Sequence, residues 1–204
     1  GFRSRTMEDI AAEVHKLAEG GVREIVLIAQ DSANYGLDRY KKPMLPTLLR
    51  ELVKIEGIAW IRVLYSYPKY FTDELIDVFA TEPKVVKYID LPLQHAHNAV
   101  LRSMNRPDTR EGVEKLIKKL RERIPGVAIR STFIVGFPGE TDAHYQALRS
   151  FVEEQRFDKV GIFTYSEEED TPAAVMAHKV PEEVMQERYH DLMSLQSKIS
   201  EEIN

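Results

Sequence analysis

The sequence predicts an α/β protein whose fold is a partial, open (β/α) barrel. Strand-like apolar runs alternate with segments of helical periodicity, about one strand–helix unit per 30–40 residues, which implies a parallel sheet with right-handed crossovers. Each predicted strand ends in polar residues. In a barrel the carboxyl ends of all the strands meet at one opening, the mouth. In an open sheet the ligand instead binds at the one point where the strand order reverses. Five strands are too few to close an eight-stranded barrel, so we expect a barrel truncated at its N-terminus.

Five apolar runs predict the strands, and amphipathic segments between them predict the helices. The strands are expected at residues 23–29, 59–65 and 87–93, around Phe133-Ile134-Val135, and at residues 159–165. The helices are expected at residues 7–19, 45–53, after Thr72, at 99–104 and 110–124, after Thr141, and at 181–204. Thr72 and Thr141 are the predicted N-caps, because a threonine hydroxyl accepts a hydrogen bond from the first turn. Trp60 and Phe79 are expected in the core.

The stretch RSTFIVGFPGET, residues 130 to 141, combines a strand, a glycine turn and a helix start. Its apolar run predicts a strand buried on both faces. Glycines in the turn would let a ligand approach the backbone, and the following helix N-terminus favours a negative group. The stretch contains neither a phosphate loop nor a dinucleotide fingerprint. An ordinary tight turn is the alternative interpretation.

Composition and charge limit the classes of partner. The net charge of −5 argues against a polyanion, so a nucleic acid is not expected, and a basic protein or a small molecule fits better. No apolar run approaches the ~20 residues of a membrane span, and the N-terminus does not resemble a signal peptide. We therefore expect a cytoplasmic protein with no membrane partner. The absence of cysteine excludes disulfides and thiolate metal sites within this chain.

His95 and His97 follow a predicted strand as a His-x-His pair. Alternate residues of an extended segment point the same way, so both imidazoles could bind one metal ion, as in a metal-dependent hydrolase. Neither histidine has a further ligand at a clear spacing, and we assign no metal site. The favoured interpretation is that His95 and Gln94 act as a hydrogen-bonding pair.

Two other strand ends carry groups with alternative interpretations. Gln30 and Asp31 offer donors and acceptors that suit a ribose, an amino acid or an amine, but Asp31 could instead shape the loop through an Asx-turn. The acidic run from Glu167 to Asp170 could be a solvated face. Such a run is usually solvated, but its position at the mouth means that it could instead attract a basic protein, either as a substrate or as the partner of a non-catalytic docking module.

Six motifs between Gly1 and about Ala174 keep the order of a known family: GFRSR, IVLIAQDSANYG, VLYSYP, YIDLPLQHAHNAVLRSMNRP, TFIVGFPGET and GIFTYSEEEDTPA. As a set they resemble the radical S-adenosylmethionine (SAM) core of the methylthiotransferases. The resemblance implies a partial barrel of the radical SAM type. It also implies a [4Fe-4S] cluster on a CxxxCxxC loop, a 5′-deoxyadenosyl radical made from SAM, and the addition of a methylthio group to the substrate.

This chain departs from the family pattern because it has no cysteine to bind a cluster. No catalytic residue is therefore assigned, and we expect residues 1–204 to be inactive alone. Residues 1–204 are expected to form a core fragment cut just after the cysteine loop. The N-terminal methylthiotransferase domain and the C-terminal TRAM domain of the family would then be absent.

The resemblance implies a SAM pocket made by the strand ends. Its expected residues are Gln30, Asp31, Tyr65, Ser66, Gln94, His95, Arg130, Thr132, Ile134, Gly136, Phe163 and Tyr165. Ile134 to Gly136 would meet the adenine, and Arg130 and Thr132 would share the inner face of their strand. Glu167, Glu168 and Arg106 are expected at the substrate.

Two groups of the family differ in substrate. One modifies an aspartate at its β-carbon in a small-subunit ribosomal protein, and the other modifies isopentenyl-adenosine in transfer RNA. Gln30-Asp31, Gln94-His95 and Tyr165-Ser166 followed by acids resemble the first group. An acidic mouth would repel RNA and attract a basic ribosomal protein, so the first group is preferred and the second is the alternative.

Overall fold

The computed structural model describes residues 2–204; Gly1, where we expect the chain to have been cut, lies outside them. The strands are β1 (Glu24–Leu27), β2 (Trp60–Val63), β3 (Tyr88–Gln94), β4 (Ala128–Val135) and β5 (Lys159–Thr164). The helices are α1 (Met7–Glu19), α2 (Leu37–Tyr40), α3 (Leu45–Leu52), α4 (Asp73–Thr81), α5 (Asn98–Ser103), α6 (Arg110–Arg123), α7 (Asp142–Gln155) and α8 (Glu182–Ile203). The five strands and the longer helices confirm the predicted α/β order. Only the short helix α2 was not predicted.

The described chain divides into two compact units. The first contains residues up to Leu91 together with Lys118–Ala128, and the second contains Pro92–Ile117 and Ile129–Asn204. Strand β3 begins in the first unit and ends in the second. Helix α6 crosses the same boundary in the opposite direction.

The first unit contains the parallel pair β1–β2, in the register Glu24 opposite Trp60 to Leu27 opposite Val63. Its core consists of large side chains that are almost completely buried: Leu45, Leu49, Leu52, Ile61, Leu75, Ile76 and Phe79. Most of them belong to helices α3 and α4, whose apolar residues recur at helical spacing. The predicted core position of Phe79 is confirmed.

The second unit is built on the sheet β3-β4-β5, in that order. Strands β4 and β5 are parallel, in the register Arg130 opposite Lys159 to Val135 opposite Thr164. Phe133, Phe151 and Phe157 form an aromatic cluster with ring centroids 5.8 to 6.2 Å apart. Burial of these three rings contributes much of the apolar stabilisation of the unit.

Threonine caps fix the starts of two helices as predicted. The Thr72 hydroxyl accepts a hydrogen bond from the Leu75 N–H, which starts α4. The Thr141 hydroxyl accepts from the His144 N–H, and the His144 ring accepts from the Thr141 N–H, so α7 begins with a capping box. Each cap satisfies N–H groups that have no partner within the helix.

Three predictions of burial were wrong. In β1, which was expected to be buried, Val26 is 42% exposed, and Ile28 just beyond it is 64% exposed. In the described part of the chain β1 pairs with β2 alone, so it is the outer strand of its sheet. Trp60 is 55% exposed and does not belong to the core. Ile134, on the strand expected to be buried on both faces, is only partly buried.

Within residues 2–204, no helix has the length and apolarity needed to cross a membrane.

Candidate functional site

Strand β3 ends in a strained turn centred on Gln94. The φ angle of Gln94 is +72°, and the His95 N–H donates to the Leu93 carbonyl at 2.9 Å. A hydrogen bond across two residues with this φ is the γ-turn of the strained type. Such a conformation costs about 1–3 kcal/mol and persists only where the surroundings hold it. The turn lies at the carboxyl end of β3, and in parallel α/β folds ligands bind at this end of the strands.

A buried ion-pair network lies directly after this turn. The His95 Nε2 atom is 2.7 Å from Glu140 Oε2, and both side chains are fully buried. Glu140 Oε1 accepts from the Gly136 N–H at 2.9 Å and from Arg188 Nη1 at 2.7 Å. One carboxylate therefore joins the end of β3, the turn after β4 and helix α8.

The pKa of Glu140 is lowered by this network. Burial alone disfavours the charged carboxylate, but the hydrogen bonds from His95, the Gly136 N–H and the Arg188 guanidinium outweigh it. The ring of His95 has a defined tautomer as well. Its Nδ1 accepts from the His97 N–H at 3.0 Å, so Nε2 carries the proton that is donated to Glu140.

His95 and His97 do not form the metal pair that the His-x-His spacing could indicate. Both ring nitrogens of His95 are engaged, and His97 Nδ1 caps α5 by accepting from the Ala99 N–H at 3.2 Å. The His97 ring instead lies 4.2 Å from the ring of His144. Across residues 2–204, no group of three or more His, Asp or Glu side chains could hold a metal ion. The hydrolase alternative has no structural support.

One face of β4 and β5 carries four of the predicted pocket residues. Arg130, Thr132 and Ile134 alternate along β4, as expected for one strand face, and Ile134 pairs in register with Phe163. On β5, Gly161 pairs in register with Thr132. A Cβ at Gly161 would lie 3.2 Å from Arg130 Nη2. The glycine thus leaves room for the guanidinium. Phe163 is 57% exposed, so a large part of this apolar ring faces solvent.

Among the buried polar atoms of the second unit that have no hydrogen-bond partner among the described residues, two lie at strand ends. They are Gln94 Oε1 and the Tyr165 hydroxyl. The Tyr165 ring packs edge-on against Phe137 of the glycine turn at 5.4 Å. Buried polar groups are nearly always paired, so an unpaired one at a strand end indicates a ligand or an ordered water. Both residues were predicted for the pocket.

In the first unit, hydrogen bonds join the segments that follow β1 and β2, and these segments contain the predicted site residues. Asp31 Oδ1 accepts from the Ala33 N–H and from the Tyr67 N–H, both at 3.1 Å. The first contact is the Asx-turn that was the alternative interpretation of Asp31. Ser66 is buried and its N–H donates to the Asp90 carbonyl, whereas Gln30 is exposed. Their binding roles stay predictions.

Tyr65 repeats the strain seen at Gln94. Its φ angle is +58°, and its N–H donates to the carboxylate of buried Asp90 at 3.0 Å. Left-handed backbone is rare for a residue with a bulky side chain. Each unit therefore has a strained, non-glycine residue at a strand end, and both were among the predicted site residues.

The residues predicted for the substrate differ in their surroundings. Glu167 and Glu168 are exposed, and Glu167 forms an ion pair with Lys179. Arg106 is mostly buried: its Nη2 donates to the Pro92 carbonyl at 2.8 Å and lies 3.3 Å from Asp108. These contacts give Arg106 a structural task at β3, and its role toward a substrate stays a prediction.

Sequence reasoning missed three residues that organise these strand ends: Asp90, Glu140 and Arg188. A signal was present for two of them. Asp90 is a carboxylate within the apolar run YIDLPL, and Arg188 lies on the apolar stripe of α8 that includes Leu192, Leu195 and Ile199. A charged residue at a core position is seldom buried without a partner. Glu140 had no comparable signal, because an acid at a turn is ordinary.

Comparisons with known proteins identify relatives of this chain. The chain is 55% identical over 199 residues to the ribosomal protein uS12 methylthiotransferase RimO of Desulforamulus reducens, covering 98% of this chain and 45% of that protein. It is 54% identical over 199 residues to the protein of the same name from Heliobacterium modesticaldum, covering 98% and 43%. The chain thus spans less than half the length of the curated relatives it matches.

Solved structures show the same fold at low identity. Coproporphyrinogen III oxidase (HemN) from Escherichia coli, a radical SAM enzyme, superposes with a TM-score of 0.67 at 13% identity, covering 96% of this chain and 47% of that one. The methyltransferase TsrM from Kitasatospora setae, solved with cobalamin and a [4Fe-4S] cluster, gives 0.65 at 19%, covering 84% and 33%. The α/β fold with a partial barrel is confirmed. Residues 1–152 match the model of the Radical SAM superfamily, and the chain belongs to that superfamily.

Proposed function

We propose that this chain is the catalytic core of a methylthiotransferase that modifies an aspartate of ribosomal protein uS12. The observation that carries the proposal is the identity of 50% to 55%, over at least 98% of this chain, to relatives named for that activity. The radical SAM fold supports the reaction class. Because those relatives are about twice as long as this chain, the complete reaction is assigned to the full-length gene product.

The second unit has features that suit SAM. Gln94 Oε1 and the Tyr165 hydroxyl are buried without partners and could bond the ribose or the amino acid part of the ligand. Ile134 and exposed Phe163 offer apolar contact to an adenine ring. Arg130 adds a positive charge to the same face, as a carboxylate would require. For Gln30, Asp31, Tyr65 and Ser66 of the first unit, a role toward SAM rests on the family resemblance alone.

The residues of this chain do not fit an iron–sulfur cluster. Clusters are held by cysteine thiolates, and the 204 residues contain no cysteine. A [4Fe-4S] cluster would therefore have to be bound by cysteines elsewhere in the gene product. The part proposed for this chain is to hold and orient SAM, and no electron or radical step is assigned to its side chains.

The acidic run is proposed to receive the basic substrate protein. Glu167 and Glu168 are exposed just beyond the carboxyl end of β5. Complementary charge speeds the encounter of two proteins and fixes their orientation. The same charge disfavours RNA, which argues against the transfer RNA alternative. A cytoplasmic location is part of this proposal, since the substrate is a ribosomal protein.

The test uses the anaerobically purified and reconstituted full-length gene product. It is incubated with SAM, a reductant and either uS12 or isopentenyl-adenosine transfer RNA, and the products are analysed by mass spectrometry. We expect uS12 in which methylthio replaces one hydrogen of an aspartate, together with 5′-deoxyadenosine. Modification of the RNA alone would replace this proposal with its sibling activity. No SAM cleavage with either substrate would exclude both.

A further inference from the structure

Glu140 lies at the centre of a network that connects three parts of the second unit. Its carboxylate accepts from the ring of His95 after β3, from the Gly136 N–H after β4 and from Arg188 on α8. The distances lie between 2.7 and 2.9 Å, and the side chain is fully buried. A buried carboxylate with this many charge-assisted bonds has a fixed position.

The network ends at the strained turn that presents Gln94. His95 is the residue after Gln94, and its ring is held on both sides, by Glu140 at Nε2 and by the His97 N–H at Nδ1. A γ-turn with positive φ is retained only when its neighbours are fixed. His95 is therefore the anchor that keeps Gln94 Oε1 buried and without a partner, ready for a ligand.

Arg188 supplies the charge that keeps Glu140 in place. Its Nη1 donates to Glu140 Oε1 at 2.7 Å and to the Glu140 carbonyl at 3.2 Å. Arg188 is itself oriented by Tyr145 of α7, whose ring lies 5.5 Å from the guanidinium carbon and whose hydroxyl donates to the Arg188 carbonyl at 3.1 Å. Loss of this cation would leave an uncompensated buried carboxylate.

We propose that Glu140 and Arg188 are positioning residues for SAM binding, acting through His95 on the turn of Gln94. This inference rests on the proposed function, because it presumes that Gln94 contacts SAM. Neither residue needs to touch the ligand. Glu140 and Arg188 hold Gln94 in the conformation that binds SAM. Residues behind a binding site commonly fix, in this way, the residues that touch the ligand.

The test compares Glu140→Gln, Arg188→Met and Arg188→Lys in the reconstituted full-length gene product. Equilibrium dialysis gives the Kd for SAM, and circular dichroism verifies folding. Glu140→Gln and Arg188→Met are expected to raise the Kd about tenfold or more, because small displacements of a positioning group weaken binding strongly. Arg188→Lys retains the charge and is expected to recover part of the affinity.

Arg156→Met is the matched control. Arg156 Nη2 pairs with Glu202 at 2.9 Å, and so joins the end of α7 to α8 at a position outside the Glu140 network. It is expected to lower thermal stability while leaving the Kd within about twofold of the wild type.

The outcomes distinguish a failure of the positioning role from a failure of the proposed function. If the wild type does not bind SAM, the proposed function fails. If it does, and folded Glu140→Gln and Arg188→Met bind with unchanged Kd, the positioning role is overturned. It is also overturned if all three variants fail to fold, since the network would then serve folding alone.

Discussion

The Nε2 atom of His95 lies 2.7 Å from Oε2 of Glu140, and neither side chain is exposed to solvent. The two residues are 45 positions apart in the sequence. Their contact joins the turn after β3 to the turn after β4, so the conformation of one strand end depends on that of the other.

The first prediction concerns acid stability. Because the folded-state pKa of Glu140 is below its ordinary value of 4.5, its stabilisation is complete above that value and lost as pH falls through the lowered one. Glu140→Gln should lower the free energy of unfolding by about 3–5 kcal/mol at neutral pH. The difference between variant and wild type should shrink in acid, where wild-type Glu140 is protonated as well. Urea denaturation at a series of pH values measures this, and a difference independent of pH would contradict it.

The second prediction compares two glycines of one turn. Gly136 and Gly139 have φ angles of +82° and +86°, but a Cβ at Gly136 would lie 2.1 Å from Met185 Cγ, whereas one at Gly139 would meet nothing within 4 Å. Gly139→Ala should cost about 1–2 kcal/mol, for backbone strain alone. Gly136→Ala should cost about 1–3 kcal/mol more, because the site is overpacked.

Thermal denaturation of both variants measures the difference. Met185→Ala removes the Cγ and Sδ atoms, so in that background the extra cost of Gly136→Ala should largely disappear. Equal costs for the two glycines in the wild-type background would show that the turn shifts to accept the methyl group.

The third prediction concerns the space beside Arg130. A Cβ at Gly161 would lie 3.2 Å from Arg130 Nη2 and 3.5 Å from the ring of Phe163. Gly161→Ala should weaken SAM binding slightly, and Gly161→Val should weaken it about tenfold or more, because the larger side chain displaces the guanidinium. Valine favours strands, so the fold should be retained. Equilibrium dialysis of the full-length protein measures both, and a Kd unaffected by Gly161→Val would remove this face from the site.

The fourth prediction concerns substrate docking. Charge reversal of Glu167 and Glu168 to Lys should raise the KM for the proposed substrate protein about two- to fivefold per charge, with kcat unchanged, because exposed pairs contribute less than about 1 kcal/mol. The effect should fade as salt is raised. Reversal of Glu182 and Glu183, which are also exposed acids of the second unit, is the control. Equal effects of the two pairs would indicate general charge attraction rather than a docking site.

The fifth prediction concerns the two stacked histidines. The pKa of His97 is lowered by burial, and further by the neighbouring His144 and by the positive charges of Arg102 and Arg110. Neutral His97 therefore stabilises the fold, and this stabilisation is lost as pH falls below the ordinary value of 6.5 toward the lowered one. NMR titration should give a pKa for His97 below 6.5. His144→Gln should raise it, and an unchanged value in that variant would show that His144 does not contribute to the shift.

Local signals in the sequence predicted the elements well. Thr72 and Thr141 mark the starts of α4 and α7, because an N-cap is decided by residues within one turn of it. Burial was harder to predict for Val26 and Trp60, since the exposure of an outer strand depends on what lies beside it. Local patterning contains no information about that neighbour.

The candidate site was predicted only in part, for a related reason. The strand-end residues Gln94 and Tyr165 could be identified from the order of strands and from the family resemblance. Arg188 and Glu140 could not, because they meet across 48 residues. An ion pair between distant positions leaves no periodic signal, and one member, Glu140, resembles any acid at a turn.

The ion pair between Arg188 and Glu140 has a consequence for how the sequence can evolve. A mutation that neutralises either residue leaves the other charge buried without its counter-ion, so the two positions should change together among homologous sequences. A lineage that replaces Glu140 with a neutral residue should also have lost the cation of the last helix. The match to the superfamily ends at residue 152, yet Arg188, which holds Glu140 beside the strand ends, lies beyond that match. A gene fragment cut at the border of the match would therefore encode the carboxylate without its counter-ion.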